Sequence, residues 1–124
     1  MSKRRLIFVV DDDPSTLRGL KRLLGKHGYD SVLFQSAEDF ERHGDFEGAV
    51  CVVLDIQLNG LSGIELKYRL ASAGVLLPVI YITANDNEST RLAATQSGCA
   101  AYLTKPFSAK ALLEPIERLA ARLA

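Results

Sequence analysis

Four apolar runs in this 124-residue chain end in side chains that could do chemistry together. Residues 6–10 lead into Asp11, Asp12 and Asp13, and residues 50–54 lead into Asp55 and a glycine-bearing loop at 56–63. Residues 79–82 lead into Thr83, and residues 100–104 into Lys105 and Pro106. If these runs are parallel strands of an open α/β sheet, their ends share the carboxyl edge, where such sheets bind ligands. Carboxylates gathered there repel one another and raise each other's pKa unless a cation lies among them. Oxygen donors without histidine or cysteine suit Mg²⁺, which uses one or two carboxylates and keeps several waters. Lys105 adds a second positive charge and Thr83 a hydroxyl donor. An acid nucleophile, a divalent cation, an ammonium and a hydroxyl are the parts that hold a phosphoryl group in line and neutralise its oxygens.

Each residue also has an ordinary structural reading. An aspartate after a strand commonly caps a helix or sits in a solvated turn, and Lys-Pro is commonly a turn. Asp13 reads as such a cap, because Pro14 fits the first helical turn that an aspartate opens. Ser36-Ala37-Glu38-Asp39 has the shape of a capping box. What favours chemistry for Asp11, Asp12, Asp55, Thr83 and Lys105 is their joint placement at successive strand ends.

The elements that must position them follow from the alternation of short apolar runs with longer segments of helical period, the pattern of a parallel sheet wrapped by helices. Strands are expected near 5–10, 30–34, 50–54, 78–82 and 100–104, and helices near 14–27, 37–44, 62–73, 86–97 and 108–122. In the first helix Leu17, Leu20, Leu23 and Leu24 form one stripe, with Gly25 and Gly28 marking its end. Connections are short, with no repeat or linker, so residues 1–124 read as a single domain.

Fifteen basic and fifteen acidic residues cancel, so direct binding of nucleic acid by this chain is not expected. No apolar stretch reaches the ~18 residues of a membrane span, and the start lacks a signal-peptide core, so a cytoplasmic protein is expected. Cys51 and Cys99 lie in apolar company and read as reduced core residues.

The motifs Val9-Val10-Asp11-Asp12-Asp13-Pro14, Val53-Leu54-Asp55 with Gly60-Leu61-Ser62-Gly63, Ile82-Thr83-Ala84 and Tyr102-Leu103-Thr104-Lys105-Pro106-Phe107 occur in one order along essentially the whole chain. In them the chain resembles the receiver domain of bacterial two-component response regulators. The stretches from Cys51 to Leu66 and from Ser36 to Phe40 resemble the nitrogen-fixation regulator subfamily, which usually carries a helix-turn-helix output domain.

The resemblance implies a flavodoxin-like, doubly wound sheet of five parallel strands in the order 2-1-3-4-5 with five helices, an order also expected from the rules for such folds. It implies a phosphorelay switch that catalyses only its own phosphoryl transfer and dephosphorylation. Asp55 would be the phosphoacceptor. Asp12, Asp55 and the backbone carbonyl of Gln57 would ligate Mg²⁺, with Asp11 acting largely through water. Lys105 and Thr83 would bond phosphoryl oxygens, Tyr102 would turn inward as Thr83 moves, and Gln57 and Asn85 would tune the lifetime of the phosphoryl group. The implied donor is a sensor histidine kinase or phosphotransfer protein. The implied output is a further domain or a homodimer, engaged through the face made by the fourth helix, fifth strand and fifth helix. The Lys105–Pro106 peptide is expected to be cis.

Two positions depart from the pattern. Asn59 stands where the family most often has proline, which frees one φ angle in the loop after Asp55. Pro115 falls inside the last expected helix, where it removes a donor to Ala111, so a kink or restart is expected there. A rival reading makes Asp11 the nucleophile of an aspartyl phosphatase of the haloacid-dehalogenase type, from Asp11-x-Asp13 and the strand-ending Thr83. The chain has no room for a cap domain and lacks late paired acids, and that reading leaves Asp55 idle. A flavodoxin-like cofactor carrier would need a Gly/Ser/Thr-rich cradle where Asp11-Asp12-Asp13 would repel a phosphate.

Overall fold

The computed structural model describes residues 5–123. Strands and helices alternate without exception: β1 Arg5–Val10, α1 Pro14–Lys26, β2 Tyr29–Phe34, α2 Ala37–His43, β3 Ala49–Asp55, α3 Gly63–Ser72, β4 Val79–Thr83, α4 Glu88–Gln96, β5 Ala101–Thr104 and α5 Ala109–Arg122. All pairings are parallel and the sheet order is β2-β1-β3-β4-β5, as expected.

Side chains of a strand alternate between its two faces, and here both faces are apolar because helices cover both. Ile7, Val9, Cys51, Val53, Ile80 and Ile82 pack with Leu17, Leu20 and Leu24 of α1 and Leu112, Ile116 and Leu119 of α5. Phe8, Val10, Val52, Leu54, Val79 and Tyr81 pack with Phe40 of α2, Leu66 and Leu70 of α3, and Ala94 of α4. Phe8 is also ringed by Phe34, Phe40 and Phe46, with centroids 5.9, 5.5 and 5.9 Å away. Cys51 and Cys99 are free thiols.

Each helix starts on a side-chain cap that accepts a backbone N–H of its first turn. Asp13 caps α1 through Ser15, Ser36 caps α2 through Asp39, and Ser62 caps α3 through Glu65. Asn87 and Ser108 do the same for α4 and α5. The cap at Asn87 moves the start of α4 inward from the expected position near 86. Only Ala94 of α4 is buried. Near the far end of that helix, Ser97 Oγ donates to the Ala94 carbonyl at 2.7 Å, so the buried Tyr81 hydroxyl, 2.8 Å away, donates to Ser97.

Of the kink or restart expected at Pro115, the restart is absent, since α5 continues from Ala109 to Arg122. Pro115 is itself buried, and Leu112, Leu113, Ile116 and Leu119 lie buried on either side of it. Burying side chains of this size is worth about 1.5–3 kcal/mol each, which outweighs the ~3 kcal/mol that an interior proline costs. No described helix is long and apolar enough to cross a membrane.

Candidate functional site

Strand register brings the acidic residues together. Val9 pairs with Val53 and Val10 with Leu54, so one step further along Asp11 and Asp55 lie side by side. Asp55 pairs with Ile82, Ile82 with Leu103, and Thr83 with Thr104. The ladder runs on past the strand ends, with Ile56 N–H donating to Ile82 O at 3.0 Å and Lys105 N–H to Thr83 O at 2.8 Å. Asp55 and Thr83 are therefore the last residues of their strands, one position inside the edge expected from the sequence.

Alternation then divides the site into two groups. Asp11 follows Ile7 and Val9, Asp55 follows Cys51 and Val53, and Lys105 follows Ala101 and Leu103, all on the face covered by α1 and α5. Thr83 follows Val79 and Tyr81 and shares the opposite face with Tyr102. Charge thus gathers on one side of the sheet edge, and the hydroxyl–aromatic pair lies on the other.

Lys105 Nζ donates to Asp11 Oδ2 at 2.8 Å and to Asp55 Oδ2 at 3.1 Å. The remaining oxygens are held alike: Asp13 N–H donates to Asp11 Oδ1 and Gln57 N–H to Asp55 Oδ1, both at 2.9 Å. Asp11 is wholly buried and Asp55 nearly so, while Asp12 lies nearer the solvent. One carboxylate oxygen from each of Asp11, Asp12 and Asp55 falls within 4.8 Å of the others. Against these three charges stands one bonded lysine, which leaves two negative charges in excess. The donor set fits a hard divalent cation such as Mg²⁺, because it supplies only oxygens and an uncompensated double charge.

Burial pushes the pKa of Asp55 up, Asp11 adds to this, and the bonds from Gln57 and Lys105 work against it. Burial would lower the pKa of Lys105, but its bonds to Asp11 and Asp55 outweigh that and raise it, so the ammonium stays charged.

Beside this cluster the loop after β3 is pressed tightly against the strand. Gly63 N–H donates to Ile56 O at 2.9 Å. A Cβ on Gly63 would collide with the Asp55 carbonyl oxygen and lie 3.1 Å from the carbonyl carbon. Glycine at the start of α3 is thus a condition for Asp55 to sit where it does. Gly60, next to Asn59, has φ of 86°. The Lys105–Pro106 peptide is cis.

Thr83 is fully buried, and its hydroxyl donates to Gln57 Oε1 at 2.6 Å while accepting Asn85 N–H at 3.0 Å. Tyr102 points outward: its hydroxyl donates to Asp86 Oδ1 at 2.9 Å, and the Arg91 guanidinium lies 5.9 Å from its ring centroid. Arg91 also pairs with Asp86. Asp11, Asp12, Asp55, Gln57, Thr83, Asn85 and Lys105 lie at or next to this edge, and Tyr102 lies two positions inside it on β5, level with Tyr81. Asp86, Arg91 and the side chain of Gln57 were not foreseen as partners of Tyr102 and Thr83. Their partners lie on other strands, and no spacing in the sequence links them.

Residues 7–117 match the response regulator receiver domain. The chain is 33% identical over 115 residues to Nodulation protein W of Bradyrhizobium diazoefficiens, covering 93% of this chain and 51% of that protein. Among solved structures, the response regulator StyR superposes with a TM-score of 0.84 at 36% identity, over 97% of this chain and 63% of that one. FixJ-N superposes with a TM-score of 0.88 at 27% identity, over 100% of this chain and 98% of that one. The chain spans about half the length of the curated relatives it matches.

Proposed function

The chain belongs to the response regulator receiver domain family, the phosphorylation-switched module of two-component signalling, and we propose that Asp55 is its phosphoacceptor. The observation that carries this assignment is the Lys105 ammonium shared between Asp11 and Asp55, with Asp12 completing the acidic cluster. The match leaves the Asp11-nucleophile phosphatase reading without support.

In this reading an Asp55 carboxylate oxygen attacks the phosphorus of a phosphohistidine. A P–O bond forms as the P–N bond breaks, and the bonding pair leaves with the imidazole nitrogen. Lys105 bonds a phosphoryl oxygen and neutralises the charge that would repel the incoming group. Asp12, Asp55 and the carbonyl of Gln57 would hold Mg²⁺, with Asp11 acting through water. When bound, the ion would supply the charge neutralisation that the two excess negative charges of the cluster otherwise deny the reaction. Thr83 then turns to a phosphoryl oxygen, and Tyr102 follows it inward. Gln57 and Asn85 flank the path of the hydrolytic water and set the lifetime of the acyl phosphate. The chain catalyses only its own phosphorylation and dephosphorylation.

The donor is a sensor histidine kinase or phosphotransfer protein in the cytoplasm. Residues 1–124 act as one receiver unit that signals through the α4-β5-α5 face, to an output domain or a second copy. The test is incubation with a small phosphodonor and Mg²⁺, trapping with hydroxylamine or a hydride reagent, and peptide mapping. Label should fall on Asp55 alone and vanish in Asp55→Asn. Label on Asp11 or a serine, or label that persists in Asp55→Asn, would overturn the assignment.

A further inference from the structure

We propose that Gln57 is a positioning residue whose side-chain amide withholds the Thr83 hydroxyl from the phosphoryl site in the resting state. The inference rests on the reading of Asp55 as phosphoacceptor. A threonine hydroxyl has one proton to give. In this structure that proton goes to Gln57 Oε1 at 2.6 Å, in a residue with no solvent exposure, so water cannot take it instead. The oxygen is held from a second direction by Asn85 N–H at 3.0 Å. Thr83 cannot bond a phosphoryl oxygen without first giving up Gln57.

The same residue also touches the phosphoacceptor. Gln57 N–H donates to Asp55 Oδ1 at 2.9 Å, so backbone and side chain of one residue join the acid on one face of the sheet to the hydroxyl on the other. The sign of the competition follows from acceptor strength. An amide oxygen is neutral, whereas a phosphoryl oxygen is charged and accepts a bond roughly twice as strong. The hydroxyl stays with Gln57 until the phosphoryl group arrives and then transfers to it. Gln57 thereby sets the threshold of the switch, a role separate from any effect on the hydrolytic water.

Removing the amide while keeping the length of the side chain should lower that threshold. The expected shift is that of one net hydrogen bond, about 3- to 10-fold in the conformational equilibrium. The probe is beryllofluoride with Mg²⁺, a stable mimic of an acyl phosphate, and the readout is the Thr83 methyl resonance in threonine-labelled protein. In Gln57→Met the resonance without beryllofluoride should move toward its beryllofluoride-bound position. Half-saturation should occur at about 3- to 10-fold lower concentration. Gln57→Glu, which keeps an acceptor at that reach, should leave the resting resonance in place. In a Thr83→Val background, read from neighbouring backbone amides, Gln57→Met should no longer change half-saturation.

The inference is overturned if Gln57→Met leaves both resting resonance and half-saturation unaltered. It is also overturned if the effect on half-saturation is equally large without the Thr83 hydroxyl. A wild-type protein that ignores beryllofluoride, or an Asp55→Asn variant that responds like wild type, would instead sink the assignment of Asp55 itself.

Discussion

Asp12 and Asp13 are adjacent aspartates, yet replacing each with alanine should move stability in opposite directions. Asp12 contributes one of three carboxylate oxygens that lie within 4.8 Å of one another. Its two acidic neighbours share one ammonium, so it faces a net charge of about minus one. Two like charges at that separation repel by about 3.5 kcal/mol at an effective dielectric constant of ~20. Because Asp12 lies nearer the solvent, screening reduces this to roughly 1 kcal/mol. Without Mg²⁺, Asp12→Ala should therefore raise the melting temperature by about 3–5 °C for a domain of this size. The same substitution should remove most of the gain from Mg²⁺, which in wild type reaches about 2.7 kcal/mol at a hundred times the dissociation constant. Asp13 instead caps α1 and accepts from Ser15 and Thr16. Asp13→Ala removes this cap and should lower the melting temperature while leaving the Mg²⁺ gain intact. Calorimetric melts in a chelator and in saturating Mg²⁺ read both effects. An Asp12→Ala protein that melts lower than wild type in the chelator, yet gains as much from Mg²⁺, would refute both the placement of the ion and the repulsion argument.

Gly63→Ala forces a Cβ against the Asp55 carbonyl, with backbone on both sides of the clash, and should cost about 1–3 kcal/mol. A urea midpoint equal to wild type would show that the loop yields without strain. Burial pushes the Cys51 thiol from an ordinary 9.0 up to about 12, while Cys99 is raised less and lies partly exposed. Alkylation of the native protein at mildly alkaline pH should modify Cys99 first and reach Cys51 only on unfolding, which peptide mass mapping resolves. Because the folded-state value of Cys51 is the higher one, its contribution to stability is complete below pH 9.0 and is lost as the pH rises toward about 12. Denaturant midpoints across that range should fall less steeply in Cys51→Ala, measured relative to its own value at neutral pH.

The sheet and its order were legible because fully buried strands such as β3 leave continuous apolar runs, and the helices carry their own caps at Asp13 and Ser36. The acidic cluster was legible for a related reason: residues at the ends of neighbouring parallel strands must meet. Strand ends were misjudged by one position at Asp55 and Thr83, because the ladder bonds to Ile82 and Lys105 come from other segments. The restart expected at Pro115 failed for the opposite reason. Local propensity weighs against a helix there, while burial of its neighbours, a tertiary property, favours one. The bonds from Thr83 to Gln57 and from Tyr102 to Asp86 depend on side-chain reach between elements, which no one-dimensional pattern encodes.

The buried bond between Tyr81 and Ser97 gives α4 the mechanics of a lever with one fixed end. Its fulcrum lies just beyond Gln96, where the Tyr81 hydroxyl, the Ser97 hydroxyl and the Ala94 carbonyl form a closed chain out of reach of water. The opposite end is held by exposed polar contacts, with Asp86 gripping Arg91 and Tyr102. Elements open where buried contacts are fewest. A displacement of Thr83 would be applied at that looser end, through Asn85, and the helix is about 13 Å long at 1.5 Å per residue. Motion pivoting at that fulcrum would grow with distance from Ser97 and be largest at the Asn87–Glu88 end of the helix, so an event the size of one hydrogen bond at Thr83 would be magnified there.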